Sequence, residues 1–346
     1  MVRGYGGDTV MCRPESLGLA MERVLIRLGA PEEDAGTVSD VLLRAELRGF
    51  GSHGIMRFPK LIASIEHGLQ RTKTEITIER ESPNSALING NSGLGMVVAA
   101  KAITIAIEKA RSCGIAAVGV HNTNHFGMAG YYSEMAALSG MIGIVFCNTE
   151  PAMAAFGGKT PILGTNPISV AAPTMERPVV FDAATTNIAR GKVSRAISEN
   201  ELLPDDCALD RDGNPTVNPE ELFSLLPIGG KDFGYKGYGL SYVIDLLCGP
   251  LTNAASGTDV RGTTTLEKCT KGDFFIAINI SSFTDLDLFK SRSGELVREV
   301  QDDCAMFPGE REELNEKKSI SGVEVPDLIY SEFEDVCMKY GVAVGE

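Results

Sequence analysis

The chain has 346 residues, of which 43% are hydrophobic, and its formal net charge at neutral pH is −14. This length allows a large buried core and predicts two lobes or domains. The acidic balance argues against nucleic acid as the main partner, and the composition excludes low-complexity and fibrous classes. No apolar stretch has the length of a membrane span or of a secretory signal, so no membrane partner is expected.

The eight cysteines are scattered, with no Cys-x-x-Cys pair of the kind that holds zinc. Cys113, Cys147, Cys248 and Cys337 lie in apolar contexts and are predicted to be reduced core residues. The chain also lacks a His-Glu-x-x-His motif, so no metal site is predicted. We therefore expect a protein of the reducing cytoplasm.

The N-terminal part is predicted to form three helices, over residues 15–28, 31–47 and 52–68. Ser52 is the expected N-cap of the third helix, although Pro59 inside the apolar pattern could mark a later start. Two more helices are predicted near the C-terminus, at 286–301 and 327–340. We expect these to pack on the first three, giving a helical domain from residues 1–72 and 285–346.

Residues 73–284 alternate between strand and helix patterns, which favours an α/β domain. The predicted strands cover 75–79, 85–88, 115–120, 141–147, 179–182 and 274–280. The predicted helices cover 97–111, 127–139 and 240–247. Between them, 149–173 and the glycine-rich 229–239 are expected to be loops, and 205–217 a surface excursion.

The first candidate for chemistry is the Ser52-His53-Gly54 stretch with Arg57. A helix N-terminus carries partial positive charge, so a histidine there favours the neutral form that can accept a proton. Arg57, four residues on, would share its face and suits a carboxylate substrate. A capped helix with a surface arginine is the alternative.

The second candidate is His125, which follows a predicted strand and precedes a predicted helix. Strand-end loops often carry working residues in α/β proteins, although a structural hydrogen bond is the alternative. Asp182 ends another strand and could orient an imidazole, hold a ribose hydroxyl or cap a helix. Lys236 and the 164–166 turn could cradle a phosphate, or be ordinary turns. Neither Gly93-Leu94-Gly95 nor 234–239 has the spacing of a Rossmann fingerprint.

Five motifs in order, at 52–57, 124–132, 163–168, 181–186 and 234–240, resemble the malate/L-lactate dehydrogenase family of the second type, also called sulfolactate dehydrogenase-like. The resemblance covers nearly the whole chain. Within this family, residues 148–154 and 268–273 look most like the archaeal sulfolactate (2-hydroxycarboxylate) branch.

The resemblance implies an NAD-dependent enzyme, with NADP possible, that oxidises L-2-hydroxycarboxylates reversibly to 2-oxo acids. Sulfolactate/sulfopyruvate, in coenzyme M biosynthesis, is the first expected substrate pair and malate/oxaloacetate the second. It also implies a non-Rossmann cofactor fold with a mixed central sheet, and a homodimer. A non-catalytic anion-binding protein is the alternative from a different class.

The resemblance also implies roles for individual residues. His125 matches the general base of a relative, His53 a second catalytic histidine, and Arg57 the carboxylate-binding arginine, with Ser52 and Thr165 in the substrate pocket. The implied cofactor residues are Thr149, Ala183, Ala184, Thr185 and Lys236, and Asp182 joins them as the candidate for a ribose hydroxyl. Arg48 is a candidate partner for a second anionic group of the substrate, but its position relative to the pocket does not follow from the sequence.

Overall fold

A computed structural model of the protein describes residues 9–198 and 200–345. The helices are α1 (Pro14–Arg27), α2 (Glu32–Leu47), α3 (Phe58–Glu66), α4 (Gly95–Cys113), α5 (Ala129–Leu138), α6 (Arg190–Ser198), α7 (Gly230–Phe233), α8 (Tyr235–Cys248), α9 (Leu286–Asp302), α10 (Glu310–Ser319) and α11 (Asp327–Lys339). The strands are β1 (Thr9–Cys12), β2 (Thr77–Ser82), β3 (Ser85–Asn89), β4 (Ile115–His121), β5 (Met141–Cys147), β6 (Met153–Ala154), β7 (Pro161–Leu163), β8 (Ile168–Ala172), β9 (Val179–Ala183), β10 (Ala208–Leu209), β11 (Ser224–Leu225), β12 (Asp273–Asn279) and β13 (Val323–Pro326).

The central sheet has seven strands in the order β2-β3-β4-β12-β5-β8-β9. The β3–β4 pair is parallel, and the other neighbours are antiparallel. Helices α4 and α5 pack against each other and on the sheet, while α8 contacts β4, β5 and β12. The α/β class and the mixed central sheet are therefore confirmed. The non-Rossmann mode of cofactor binding stays a prediction.

Strand register brings several loops to one edge of this sheet. Asp273, the first residue of β12, pairs with Val120 of β4 and with Cys147 at the end of β5. Ile168, the first residue of β8, pairs with Ala183, the last residue of β9. The segments that follow β4, β5 and β9 therefore meet those that precede β8 and β12. The predicted site motifs lie on these segments.

The two ends of the described chain come together. Strand β1 pairs with β13, α11 packs against α1 and α3, and α10 packs against α2. One continuous apolar core includes Leu17, Phe58 and Phe333 from the helices, and Val118 and Phe275 from the sheet. The C-terminal helix thus packs on the N-terminal helices as expected, while the division into domains 1–72 with 285–346 and 73–284 stays a prediction.

Several sequence-based assignments are wrong. The predicted loop 149–173 contains β6, β7 and β8, and β8 belongs to the central sheet. The glycines and prolines that flank this short strand concealed it. The predicted loop 229–239 is largely helical, since α8 begins at Tyr235. Helices α6 and α10 were not predicted, and Cys113 is exposed at the end of α4 rather than buried.

Candidate active site

The Ser52–Arg57 segment forms two short 3-10 turns, Gly51–His53 and Ile55–Arg57, before α3 begins at Phe58. The prediction that Ser52 caps this helix is therefore wrong. Pro59 occupies the first helical turn, where the N–H that proline lacks needs no partner, and this sets the later start. The Ser52 hydroxyl lies instead 3.0 Å from Nδ1 of His53.

A carboxyl group from α2 supports this turn. Oε2 of Glu46 accepts a hydrogen bond of 2.8 Å from the N–H of Ile55. Burial raises the pKa of Glu46 to about 7, although that hydrogen bond opposes the shift. A Cβ at Gly54 would lie 2.1 Å from Oε2, so only glycine allows this contact. Sequence reasoning missed Glu46, whose only signal was an acid in the last turn of the preceding helix.

The histidine rings of His53 and His125 lie next to each other, with centroids 5.5 Å apart. His125 lies in the loop between β4 and α5, four residues before the helix begins at Ala129. The N–H of Gly127 donates to Nδ1 of His125 at 3.2 Å, and Gly127 has a positive φ of 83° that suits glycine. The structure thus brings together the two histidines selected from sequence.

Both imidazoles are held in the neutral form. Burial lowers the pKa of His53 to about 3, and the positive charge of Arg57 adds to the effect. Burial also lowers the pKa of His125 well below its ordinary value, with further contributions from Arg57, His53 and Lys271. Burial and the Arg57 charge, rather than a helix dipole, therefore favour the neutral state of both rings.

Arg57 lies in the wall of a cleft of about 430 Å³ together with Lys60 and His125. Its Nε donates to the carbonyl of Ser52 at 2.8 Å, and one terminal nitrogen donates to the carbonyl of Thr263 at 3.4 Å. No carboxylate of the described residues forms an ion pair with Arg57. The cleft is also lined by Leu61, Ser64, Gln70, Met96, Gly262, Thr263, Thr265 and Leu266.

Glu150, which follows β5, holds the loop at 263–265 that forms part of the wall of this cleft. Its carboxylate accepts the N–H groups of Thr263, Thr264 and Thr265 at 3.1, 3.0 and 3.3 Å. It also accepts the hydroxyl groups of Thr264 and Thr265. Sequence reasoning missed this interaction because the partners lie more than a hundred positions apart in the chain. Both oxygens of Glu150 are thus occupied by the loop and leave Arg57 without a close carboxylate.

Arg48 does not reach this cleft. Its Nε donates to Glu316 at 3.0 Å, and a terminal nitrogen contacts Glu134 at 2.9 Å. The suggestion that Arg48 receives a second anionic group of the substrate is not supported, because two glutamates already occupy its guanidinium.

Three of the predicted cofactor and substrate residues form one hydrogen-bonded cluster. The hydroxyl of Thr149 accepts the N–H of Thr165 at 2.9 Å. The N–H and the hydroxyl of Thr185 donate to the carbonyl of Thr165 at 2.8 and 3.0 Å. Asn166 accepts the N–H of Thr149 at 3.0 Å and has a positive φ of 27°. Thr149, Thr165 and Thr185 therefore lie together at the polar edge of the sheet, and their roles stay predictions.

Asp182 faces a second, larger cleft of about 720 Å³. Oδ2 of Asp182 accepts the N–H of Gly130 at 2.6 Å, at the start of α5, and burial raises its pKa to about 6. The alternative that Asp182 caps a short helix of its own is therefore wrong, because no helix follows it directly and its bond goes to an N–H in the first turn of α5. Ala183 and Ala184 continue from Asp182 towards Thr185 and are partly buried. Other residues of the larger cleft are Arg48, Phe50, Met128, Gly130, Glu134, Arg177, Pro178, Val180, Phe181, Pro308, Gly309, Glu312, Glu313 and Glu316.

Lys236 lies in the first turn of α8 and not in a glycine-rich loop, which corrects the prediction. Its side chain is exposed, and Nζ lies 5.7 Å from the ring centre of Phe233 and 5.8 Å from that of Tyr235. The start of α8 packs near Ile228, whose N–H donates to the carbonyl of Thr185 at 2.9 Å. Lys236 is therefore on a segment adjoining the threonine cluster, although the structure shows no hydrogen bond between them.

A buried ion pair lies beside the His125 loop. Lys271 and Asp273 are both fully buried and form a salt bridge. Nζ of Lys271 lies 4.5 Å from the ring centre of Phe126, the neighbour of His125. In the sequence, Lys271 stands out only as part of the motif at 268–273. Its charge is one of those that lower the pKa of His125.

Within residues 9–198 and 200–345, no group of three or more His, Cys, Asp and Glu side chains is arranged to hold a metal ion. In the same residues, no helix combines the length and apolar character needed to cross a membrane.

The sequence profile of the malate/L-lactate dehydrogenase family matches residues 13–334. The chain is 46% identical to the L-sulfolactate dehydrogenase of Methanothermobacter thermautotrophicus, over 91% of this chain and 93% of that protein. It is 40% identical to the malate dehydrogenase of Pyrococcus abyssi, over 98% of each chain. The solved structure of sulfolactate dehydrogenase from Methanocaldococcus jannaschii is similar with a TM-score of 0.91 and 42% identity, over 97% of this chain and 98% of that chain.

The chain therefore belongs to the malate/L-lactate dehydrogenase family. The resemblance inferred from the five motifs, and the oxidoreductase class that it implied, are confirmed.

Proposed function

We propose that this protein catalyses the reversible oxidation of an L-2-hydroxycarboxylate to the 2-oxo acid, with NAD as cofactor. The observation that carries the proposal is a cleft lined by Arg57, which forms no ion pair, and by His125, whose neutral ring lies next to the neutral ring of His53. The relatives named above include sulfolactate and malate dehydrogenases, which supports this class of substrate.

Arg57 is the residue that would bind the substrate carboxylate. Its Nε and one terminal nitrogen contact backbone carbonyls, which fix the plane of the guanidinium, and no carboxylate among the described residues forms an ion pair with it. A guanidinium binds a carboxylate through two parallel hydrogen bonds, which also orients the neighbouring carbon atom. Holding the hydroxyl carbon in one orientation beside the histidines lowers the activation barrier, because the reacting groups are already aligned.

The histidine pair would move the proton of the hydroxyl group, while bound NAD supplies the hydride acceptor. The Gly127 N–H at Nδ1 places the proton of neutral His125 on Nε2, where it can donate a hydrogen bond to the substrate oxygen. His53 has Nδ1 next to the Ser52 hydroxyl, which can donate or accept. This geometry favours His53 as the proton acceptor and His125 as the group that holds the oxygen.

Substrate binding would also prepare the histidines for this task. The Arg57 charge is, after burial, the leading cause that lowers the pKa of both rings. A carboxylate bound to Arg57 opposes that charge and so raises both pKa values towards neutrality. A base is most effective when its pKa lies near the working pH, so the anion itself would improve proton transfer.

The larger cleft is compatible with part of a nicotinamide dinucleotide. Phe50, in its wall, accepts a hydrogen bond from the N–H of His53, so the two clefts adjoin the same turn. Asp182 and Glu134 are acceptors suited to ribose hydroxyls, and the other acids in the wall disfavour the extra phosphate of NADP. Thr149, Ala183, Ala184, Thr185 and Lys236 remain the other proposed cofactor residues.

We propose sulfolactate/sulfopyruvate, in coenzyme M biosynthesis, as the first substrate pair and malate/oxaloacetate as the second. A cytoplasmic homodimer is part of the same proposal, by analogy within the family. The test follows NADH absorbance with sulfopyruvate, oxaloacetate, pyruvate and 2-oxoglutarate, and repeats the best of them with NADPH. Turnover of a 2-oxo acid is expected. Binding of these anions without turnover of any would favour the non-catalytic alternative.

The two histidine roles are separated by paired variants. His53→Gln removes the proton acceptor and should lower turnover by about 10²- to 10⁴-fold. His125→Gln keeps an N–H donor near the position of Nε2, so its loss should be smaller, of about tenfold. The reverse order would exchange the two assignments. Near-normal turnover in both variants would show that neither histidine takes part in catalysis.

A further inference from the structure

Lys60 is a second cation in the cleft lined by Arg57 and His125. It lies in α3, three residues after Arg57, and residues at this spacing share one face of a helix. Lys60 and Arg57 both line the cleft beside His125. Burial and the Arg57 charge lower the pKa of the Lys60 ammonium.

The two cations are compensated only in part from within the described chain. Lys60 and Arg57 form no ion pair there with any carboxylate. The charged neighbours of Lys60 are Arg57 and Arg190, which repel it, and Glu150, which attracts it. The Glu150 oxygens are occupied by hydrogen bonds from the loop at 263–265. Two partly buried like charges without a close counter-ion are costly, so this cleft suits an anionic ligand.

The same wall offers an additional polar group. The amide nitrogen of Gln70 donates to the hydroxyl of Ser64 at 3.1 Å, and both residues line the cleft. Oε1 of Gln70 is buried and has no hydrogen-bond partner among the described residues. The two ends of an amide can exchange places, and the exchanged orientation directs an N–H group where Oε1 now lies. Lys60 and Gln70 thus provide donors apart from Arg57.

We propose that Lys60 binds the second anionic group, a sulfonate or a carboxylate, of a substrate whose 1-carboxylate is bound by Arg57. The inference rests on the proposed function and narrows it, because the preferred substrates become dianionic 2-oxo and 2-hydroxy acids. Lys60 is then a specificity-determining residue that contacts the substrate but does not move its proton.

The test compares Lys60→Met with the unaltered enzyme on sulfopyruvate, oxaloacetate and pyruvate, the last having only one anionic group. Loss of a charge-assisted hydrogen bond should lower kcat/KM for the two dianions by about 10- to 100-fold. The value for pyruvate should change by less than about threefold. Lys60→Arg should recover most of the activity with the dianions, since it restores the charge.

Arg190→Gln is the matched control. It also removes a positive charge near Arg57, but Arg190 is exposed and does not line the cleft. A selective loss of dianion activity in this variant, with none in Lys60→Met, would overturn the assignment. An equal loss for all three substrates in Lys60→Met would also overturn it, since that result indicates a structural role. If the unaltered enzyme turns over no 2-oxo acid, the proposed function itself fails.

Discussion

Arg48 and Arg57 flank the same turn, nine positions apart, and have opposite surroundings. Arg48 forms ion pairs with Glu134 and Glu316, and the three side chains are only 10%, 11% and 18% exposed. Burial alone would lower the pKa of Arg48, but these glutamates raise it above its ordinary value. For Arg57, burial lowers the pKa, and the charge of Glu150 offsets this only in part.

The difference separates a structural cation from one available to a ligand. A buried charge that is already paired has little to gain from an additional anion. A charge fixed only by backbone carbonyls gains a strong interaction when a carboxylate arrives. Arg48 and Arg57 are therefore distinguished by their carboxylate partners in the folded protein and not by the residues next to them in the sequence.

The largest expected effect is on the activity of Arg57→Met. Two charge-assisted hydrogen bonds to the substrate are lost, at about 1.5–3 kcal/mol each, so kcat/KM should fall by about 10²- to 10⁴-fold. Steady-state kinetics with oxaloacetate or sulfopyruvate measure this. Arg57→Lys keeps the charge but cannot form two parallel hydrogen bonds, so it should recover only part of the loss. Kinetics of Arg57→Met within about twofold of the unaltered enzyme would remove Arg57 from the site.

The next effect is on the stability of Arg48→Met. Removing Arg48 leaves Glu316 unpaired and Glu134 with only Arg44, 3.2 Å away, as its partner, which should cost about 3–5 kcal/mol of unfolding free energy. Denaturant unfolding measures it, and the loss should exceed that of Arg57→Met. A second change, Glu316→Gln in the Arg48→Met background, should restore part of the stability because one orphaned charge is gone. Equal stability of the two arginine variants would contradict the distinction between Arg48 as a structural cation and Arg57 as a cation available to a ligand.

A smaller effect is expected at Glu150, the carboxylate that contacts a loop instead of Arg57. Glu150→Gln keeps the size of the side chain but weakens its bonds to the N–H groups of Thr263 and Thr265. The loosened cleft wall should raise KM for the 2-oxo acid by about tenfold, with a smaller change in kcat. An equal fall in kcat and in kcat/KM would indicate that Glu150 stabilises the transition state and does not act only by holding the loop.

The smallest effect concerns the histidine pKa values. Because burial and Arg57 hold the pKa of His53 at about 3, its imidazole should remain neutral from about pH 8 down to about pH 5. Arg57→Met removes one of the two causes, so the pKa of His53 should rise above about 3. Imidazole NMR titration measures this shift. Titration of His53 near the ordinary value of about 6.5 in the unaltered protein would contradict it.

The sequence predicted most of the regular elements that position the site. Helix α2, helix α4 and strand β5 were found from periodicity to within two residues at each end, because their apolar patterns are local and strong. Strand β8 was missed, since five residues between glycines and prolines give a weak pattern and the sheet supplies its neighbours. The prediction that Ser52 caps a helix is wrong, because the choice between Ser52 and Pro59 as the start depends on contacts such as that of Glu46 with the N–H of Ile55.

By itself, the sequence determined the family, the α/β class and the histidines and arginine of the candidate site, because ordered motifs preserve the identity of side chains. Only the tertiary structure decided which cations are available. The partners of Arg48 lie 86 and 268 positions away, and the loop bound by Glu150 lies 113 to 115 positions away. Pairings over such distances follow from the register of the sheet and the return of the C-terminal helices, not from local propensity. They leave Arg57 and Lys60 as the cations that face the cleft without a paired carboxylate among the described residues.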